Sequence, residues 1–429
     1  MKKILAIVLC VLMALALCAC KTNHEDNNPD NTAAPQNTEN GGETGKDVSG
    51  LKIGVILVGD ENEGYTFAHI EGFKEAMKEL GIKDEQVTWK YVIPENATCY
   101  DTACELADAG CNIIFSNSYG HQSFMVQAAQ EFPEVVFVPA TGDTANVCGL
   151  ENVVNIFPQT YQSRYVSGVV AGMKLKELMD NGTVTDPYIG YVGAYPYAEV
   201  VSGFTAFFLG IKSIVPDAHM DVMYTSSWFD LNKENETAKA LMAKGCVIIG
   251  QHADSTGAPS AVEAALKEGK VAYSVGYNID MLKVAPNAAL TSAQNNWSVL
   301  YKMVLKDFID GKKVQHDYTA GYEADAVMIS ALGASCAPGT AEKVAEVIES
   351  IKNGTFHVFD ISTFTVEGKT LDSYVFDFST MNADFTAVQY EGEKIEVVSD
   401  GYFHESEYRS APYFGIIIDG ITSLTNTGN

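Results

Sequence analysis

The sequence predicts an α/β fold of two doubly wound lobes joined by a three-strand hinge. Three observations carry this. From Leu51 onward, β-branched runs alternate with segments of helical period. Those runs hold few polar residues, as strands covered on both faces do. The strand–helix rhythm then restarts after Pro158, giving a second unit of the same kind.

In the first unit, Lys52-Ile53-Gly54-Val55-Ile56-Leu57-Val58 reads as a buried strand. A helical pattern follows over residues 67–80 and stops at Gly81, as helices closed by a left-handed residue do. Strands at 87–92, 112–116 and 135–138 alternate with helices at 102–109 and 122–131. A long helix at 161–179 leads to the second unit. There, strands at 188–193, 219–224, 246–250 and 271–275 are separated by helical segments, the first at 199–214. The boundaries expected are lobe I at 51–158 and 287–317, and lobe II at 159–286 and 318–429. Chain crossings are placed near Phe157-Pro158, Ala285-Pro286 and His316-Tyr318. From Gly368 to about Gly420 the pattern is short, strand-like and acidic, and it predicts a β-rich appendage on lobe II.

The ends and the bulk composition bound the function. Lys2 and Lys3 precede an apolar run from Ile4 to Leu17, which is too short for a mature membrane span and has the form of a secretory signal peptide. It ends Leu17-Cys18-Ala19-Cys20, which resembles a bacterial lipobox with Cys20 as the lipidated residue. Residues 21–50, rich in Asn, Thr, Glu and Gly, predict a disordered tether. The chain is therefore expected at the extracytoplasmic face of the cell membrane, held by a lipid anchor. Its 55 acidic against 28 basic residues, a net charge of −27, oppose nucleic-acid binding. Of nine cysteines, six follow Cys20, and none has zinc spacing. Buried free thiols are the default, with a single disulfide such as Cys99–Cys104 left open. No metal, cofactor or catalytic residue is indicated, because no metalloprotease, P-loop or nucleophile-elbow motif occurs.

In doubly wound sheets, ligands sit beyond the carboxyl ends of the strands. The loops there combine flat rings with side chains that accept or donate hydrogen bonds. Tyr65 follows the first strand, and Ser118 and Tyr119 follow the third. Trp228 and Asp230, His252 and Asp254, Asn278 and Asp280, and Trp297 come from the second half. Plainer roles exist for several of these: Asp230 as a helix cap, Asp280 as a turn former, His252 as a structural histidine, and Trp297 as a packing residue. Rings plus carboxylates suit a planar heteroaromatic ligand, but they also suit a sugar.

Six segments carry a family resemblance: Gly64-Tyr65-Thr66-Phe67-Ala68-His69, Ala140-Thr141-Gly142, Ser227-Trp228-Phe229-Asp230, Gln251-His252-Ala253-Asp254-Ser255, Ile279-Asp280-Met281, and Leu290-Thr291-Ser292 with Asn296-Trp297. Together they resemble the basic membrane lipoprotein family of purine nucleoside receptor A, over about Leu51 to Gly311 and again at Asn353-Gly354-Thr355-Phe356. The resemblance implies a type I periplasmic-binding-protein fold and a substrate-binding protein of an ABC importer, acting as a monomer with a membrane permease as partner. It further implies a purine-type ligand clamped by Tyr65 and Trp228, with Asn278 and Asp280 on its polar edge. Asn62-Glu63-Gly64-Tyr65-Thr66 departs from the first loop of nucleoside receptors, and Asn278 stands where they carry Asp. Both departures leave a free nucleobase open beside a nucleoside. Hinge closure around the ligand is the implied mechanism. A surface sensor lipoprotein, a sugar receptor of the same fold and a cell-surface nucleoside hydrolase are the alternatives.

Overall fold

The computed structural model describes residues 48–382 and 386–424. The signal segment, Cys20 and nearly all of the tether lie outside these residues. In lobe I the elements run β1 (Ile53–Ile56), α1 (Gly64–Leu80), β2 (Val87–Lys90), α2 (Ala97–Asp108), β3 (Ile113–Ser116), α3 (Gln122–Glu131), β4 (Val136–Pro139) and β5 (Asn155–Ile156). The chain passes through α4 (Thr160–Asp180) into β6 (Tyr188–Gly193), α5 (Ala198–Lys212), β7 (His219–Tyr224), α6 (Leu231–Ala243), β8 (Ile248–Gln251), α7 (Gly257–Lys267), β9 (Tyr273–Tyr277) and β10 (Ala289–Asn295). It then returns through α8 (Trp297–Ile309) and β11 (Asp317–Tyr318), and continues to β12 (Val327–Ile329) and α9 (Thr340–Lys352).

Side-chain caps set several helix starts. Glu63 accepts hydrogen bonds from the Tyr65 and Thr66 amides, each at 2.8 Å, and starts α1. Asn96 caps α2 through the Thr98 amide, so this helix begins at Ala97, five residues earlier than periodicity suggests. Gly81, at φ 70°, closes α1 in the left-handed region.

Lobe I carries a parallel four-stranded sheet ordered β2-β1-β3-β4. β5 lies beside β4 through single bridges and pairs in parallel with β11. Lobe II carries a seven-stranded sheet in the order β12-β10-β9-β8-β6-β7, closed by a final strand, Ile421–Leu424. Only β12 runs antiparallel among the described pairings of this sheet. Each lobe has its own apolar core: Ile53, Phe73, Phe115, Trp297 and Tyr301 contribute to the first, and Val166, Tyr191, Phe204 and Phe207 to the second. In lobe II, α4 and α5 cross so closely that a Cβ on Gly168 would lie 2.0 Å from the Phe207 carbonyl oxygen. One on Gly210 would lie 2.1 Å from that of Tyr165.

One boundary differs from the expectation. β10, assigned from sequence to lobe I, pairs with β9 and β12 in the lobe II sheet. The middle crossing therefore falls at Asn295-Asn296, not near Ala285-Pro286, which lies within lobe II between Met281–Lys283 and β10. Strand register, a non-local property, decides this. All six described cysteines are free. Beyond residue 361 the chain forms short antiparallel ladders, Val375–Asp377 with Lys394–Glu396 among them. Phe378, Val397, Phe403, Tyr413 and Phe414 of this segment belong to the lobe II core.

Candidate functional site

In lobe I the strand order reverses between β1 and β3, and in lobe II between β6 and β8. Such switch points leave a crevice at the strand ends. A cavity of about 320 Å³ lies there, between the lobes. Lobe I lines it with Val58, Gly59, Asp60, Glu63, Tyr65, Val92, Ser118, Tyr119 and Thr141. Lobe II lines it with Glu199, Trp228, Phe229, His252, Asp254 and Tyr277.

The loops are held in shape by buried polar contacts. Asn117 accepts from the Val58 amide at 2.9 Å and donates to Thr66 Oγ1 at 3.3 Å, tying the loops after β1 and β3 together. The Tyr65 hydroxyl donates to the Asn117 carbonyl. In lobe II, Gln251 donates to the carbonyls of Ala253 and Ser255, and the Asp254 amide donates to the Trp228 carbonyl at 2.8 Å. Glu234 accepts from the Ser255 amide, and burial pushes its carboxyl up to about 7. Four non-glycine residues sit in the left-handed region at these strand ends: Val92 (φ 56°), Thr141 (65°), Ser226 (54°) and Asn278 (63°). Such conformations cost roughly 1–3 kcal/mol each and cluster where loops are shaped for ligands.

Burial dominates the electrostatics. It raises the Asp254 carboxyl well above the usual range, helped by the nearby Glu63 and Glu234 charges. It likewise raises Glu63, against the pull of its Thr66 and Tyr65 contacts. It drives His252 down to about 4, helped by the Arg164 charge, so this ring is neutral at pH 7. His252 Nε2 lies 3.3 Å from Glu199 Oε1. Arg164 lies beneath the cavity, its guanidinium 3.6 Å from the centre of the Tyr277 ring and bonded to the Gln251 carbonyl at 2.7 Å. No lysine or arginine is among the lining residues, whereas Asp60, Glu63, Glu199 and Asp254 are. The arrangement offers rings and hydrogen-bond acceptors to a ligand rich in donors.

Of the residues singled out from sequence, Tyr65, Ser118, Tyr119, Trp228, His252 and Asp254 line the cavity. Asn278 stands behind it, donating to Asp254 Oδ1 at 2.6 Å and so orienting that carboxyl. Three do not reach it. Asp230 caps α6 through the Asn232 and Lys233 amides. Asp280 caps the turn Met281–Lys283 through the Leu282 amide. Trp297 is 1% exposed in the lobe I core, stacked 3.9 Å from His69, because the first turn of α8 packs on α1. Glu199, Glu63 and Tyr277 were not singled out. Glu63 and Tyr277 lie in the same short segments as Tyr65 and Asn278. Glu199 lies in the first turn of α5, after β6, and no aromatic-plus-acid pattern marks the loop that precedes it.

Comparison with known proteins agrees with this architecture. Residues 51–361 match the family described as ABC transporter substrate-binding protein PnrA-like. A purine-binding protein of Brucella abortus is 34% identical over 312 residues, covering 72% of this chain and 83% of its own length. A relative in Haloferax volcanii, named for glucose binding by an ABC transporter, is 28% identical over 80% of this chain and 82% of its own. Among solved structures, a solute-binding protein of Aeropyrum pernix superposes with a TM-score of 0.61 at 16% identity, covering 72% of this chain and 93% of its own. That level of likeness supports the two-lobed fold alone. Members of the matched family bind substrates outside the cytoplasm for a transporter and are not enzymes. The chain belongs to the PnrA-like family of ABC transporter substrate-binding proteins.

Proposed function

We propose that the chain holds a purine nucleoside or nucleobase between its lobes and delivers it to its permease from a lipid anchor at Cys20. The observation that carries this reading is the cavity wall, where Tyr65, Tyr119, Trp228 and Tyr277 stand beside Glu63, Glu199, His252 and Asp254. A purine presents two flat faces and an edge of ring N–H and amino donors. Stacking on a ring contributes roughly 1–3 kcal/mol per base. Hydrogen bonds to charged groups contribute about 1.5–3 kcal/mol each. Four lining acids and no lining lysine or arginine disfavour a phosphorylated ligand, whose charge would find no cation to pair with. The purine-binding relative supports the same reading.

A sugar is the second reading. Carboxylates and rings also suit hydroxyls and ring faces, and the Haloferax relative is named for glucose. Calorimetric titration of the purified protein with adenosine, adenine, hypoxanthine and glucose separates the two. Heat from a purine with none from glucose supports the proposal, and heat from glucose alone overturns it. For the anchor, Cys20→Ala should move the chain from the membrane fraction to the medium.

A further inference from the structure

We propose that the C-terminal appendage is a latch across the cleft, in which Arg409 and Ser410, carried by lobe II, grip Asp143 and Asp317 of lobe I and stabilise the closed form. The matched family segment ends at residue 361, so the gripping residues lie outside it.

The appendage belongs to lobe II at both of its ends. Its final strand pairs in parallel with β7, and its aromatic residues stack within the lobe II core, Phe359 on Phe414 at 4.3 Å. Buried Glu405 ties it to α5, accepting from Ser202 Oγ at 2.7 Å and from the Tyr413 and Phe414 amides. Between these anchors the chain turns toward lobe I. Arg409 Nη1 lies 3.4 Å from Asp143 Oδ2, with the two side chains only 9% and 13% exposed. The guanidinium rests among the Phe376, Phe378 and Tyr413 rings at 5.5–5.9 Å. The Ser410 amide donates to Asp317 Oδ2 at 2.8 Å. Asp317 sits on β11, at the lobe I end of the hinge. Tyr390 packs against the apolar cluster of lobe I that includes Ile114, Met125 and Phe137.

The grip reaches the ligand cavity. Asp143 Oδ2 also accepts from the Tyr119 hydroxyl at 3.3 Å, and Asp143 Oδ1 accepts from Gln122 at 3.0 Å. Arg409 and Asp143 wall a side chamber of about 180 Å³ that shares Tyr119, Thr141 and Glu199 with the main cavity. Rotation of the lobes about the hinge strands separates Arg409 from Asp143 and Ser410 from Asp317. Opening gives up a charge-assisted contact and the packing of the guanidinium on three rings, and the latch requires that this loss exceed what the two charges gain on rehydration.

The proposal rests on lobe closure and not on which ligand is bound, so it is tested without ligand. Small-angle scattering of the full mature chain would compare wild type, Arg409→Gln, Asp143→Asn and the double variant, with circular dichroism confirming the fold. Each single change should raise the open-to-closed ratio on the order of tenfold, and with it the radius of gyration. Asp143→Asn keeps the shape of the residue and guards against a misfolded Arg409 variant. The double variant should open no further than the more open single one, as expected for residues acting through one contact. Single variants that scatter as wild type does, or a double variant that opens by the sum of the two, would overturn the latch.

Discussion

Glu405 provides a quantitative check on the way the appendage is anchored. Its carboxyl is buried and accepts three hydrogen bonds, yet burial dominates and pushes its pKa from 4.5 up to about 7. The folded state therefore holds a proton that the unfolded chain releases at lower pH. The stability this contributes is fully present below about pH 4.5 and is lost as pH rises through 7. A shift from 4.5 to about 7 corresponds to roughly 3 kcal/mol. Glu405→Gln keeps the volume, one acceptor oxygen for the Tyr413 and Phe414 amides, and a group to pair with Ser202, but it cannot ionise. At pH 5 the variant should melt near wild type, and at pH 8.5 it should be the more stable. With an unfolding entropy of about 2 cal/mol/K per residue over the roughly 370 folded residues, the gap should widen by about 4 °C. Differential scanning calorimetry at the two pH values reads this directly. A gap that is the same at pH 5 and pH 8.5 would refute the assignment of a buried, proton-holding carboxyl.

Trp228→Ala should weaken purine binding at least tenfold in calorimetry, since the ring forms one wall of the cavity and stacking contributes roughly 1–3 kcal/mol. Asp230→Ala should instead leave affinity unchanged and cost about 0.5–2 kcal/mol in urea unfolding, because the carboxylate caps α6. Gly168→Ala should lower the melting temperature sharply, because the new methyl would meet the Phe207 carbonyl at 2.0 Å and force α4 from α5. His252 is held neutral with a pKa near 4, so it contributes stability above pH 6.5 that fades as pH falls toward 4. His252→Asn should flatten that acid limb in urea midpoints measured at pH 4.5 and 7.

Much of the fold was legible because it follows from local periodicity. The β1 run reads as a strand since Ile53, Val55 and Ile56 leave it no polar face. Gly81 marks the end of α1 since it adopts a left-handed turn there. The loops that carry Tyr65, Ser118, Tyr119, Trp228, His252 and Asp254 could be found because a doubly wound sheet opens at its strand ends. Within those loops, the role of a given residue was not legible. Asp230 and Asp280 have the same chemistry as Asp254, but the first two spend it on amides of their own helix or turn. Trp297 looks the same in sequence whether it faces cleft or core, and only the packing of α8 on α1 decides.

By itself, the sequence determined which segments form strands and helices, that two α/β units follow one another, and which loops meet at the cavity between them. These depend on contacts within a few residues and on the topology of a parallel sheet. Tertiary structure alone decided that β10 joins lobe II, that Glu199 reaches the cavity wall, and that Arg409 meets Asp143. The last two partners stand 266 positions apart in the chain, and no local pattern links them. Pairings of that kind are set by how completed lobes pack, where burial and charge complementarity act between surfaces that exist only once each lobe has folded.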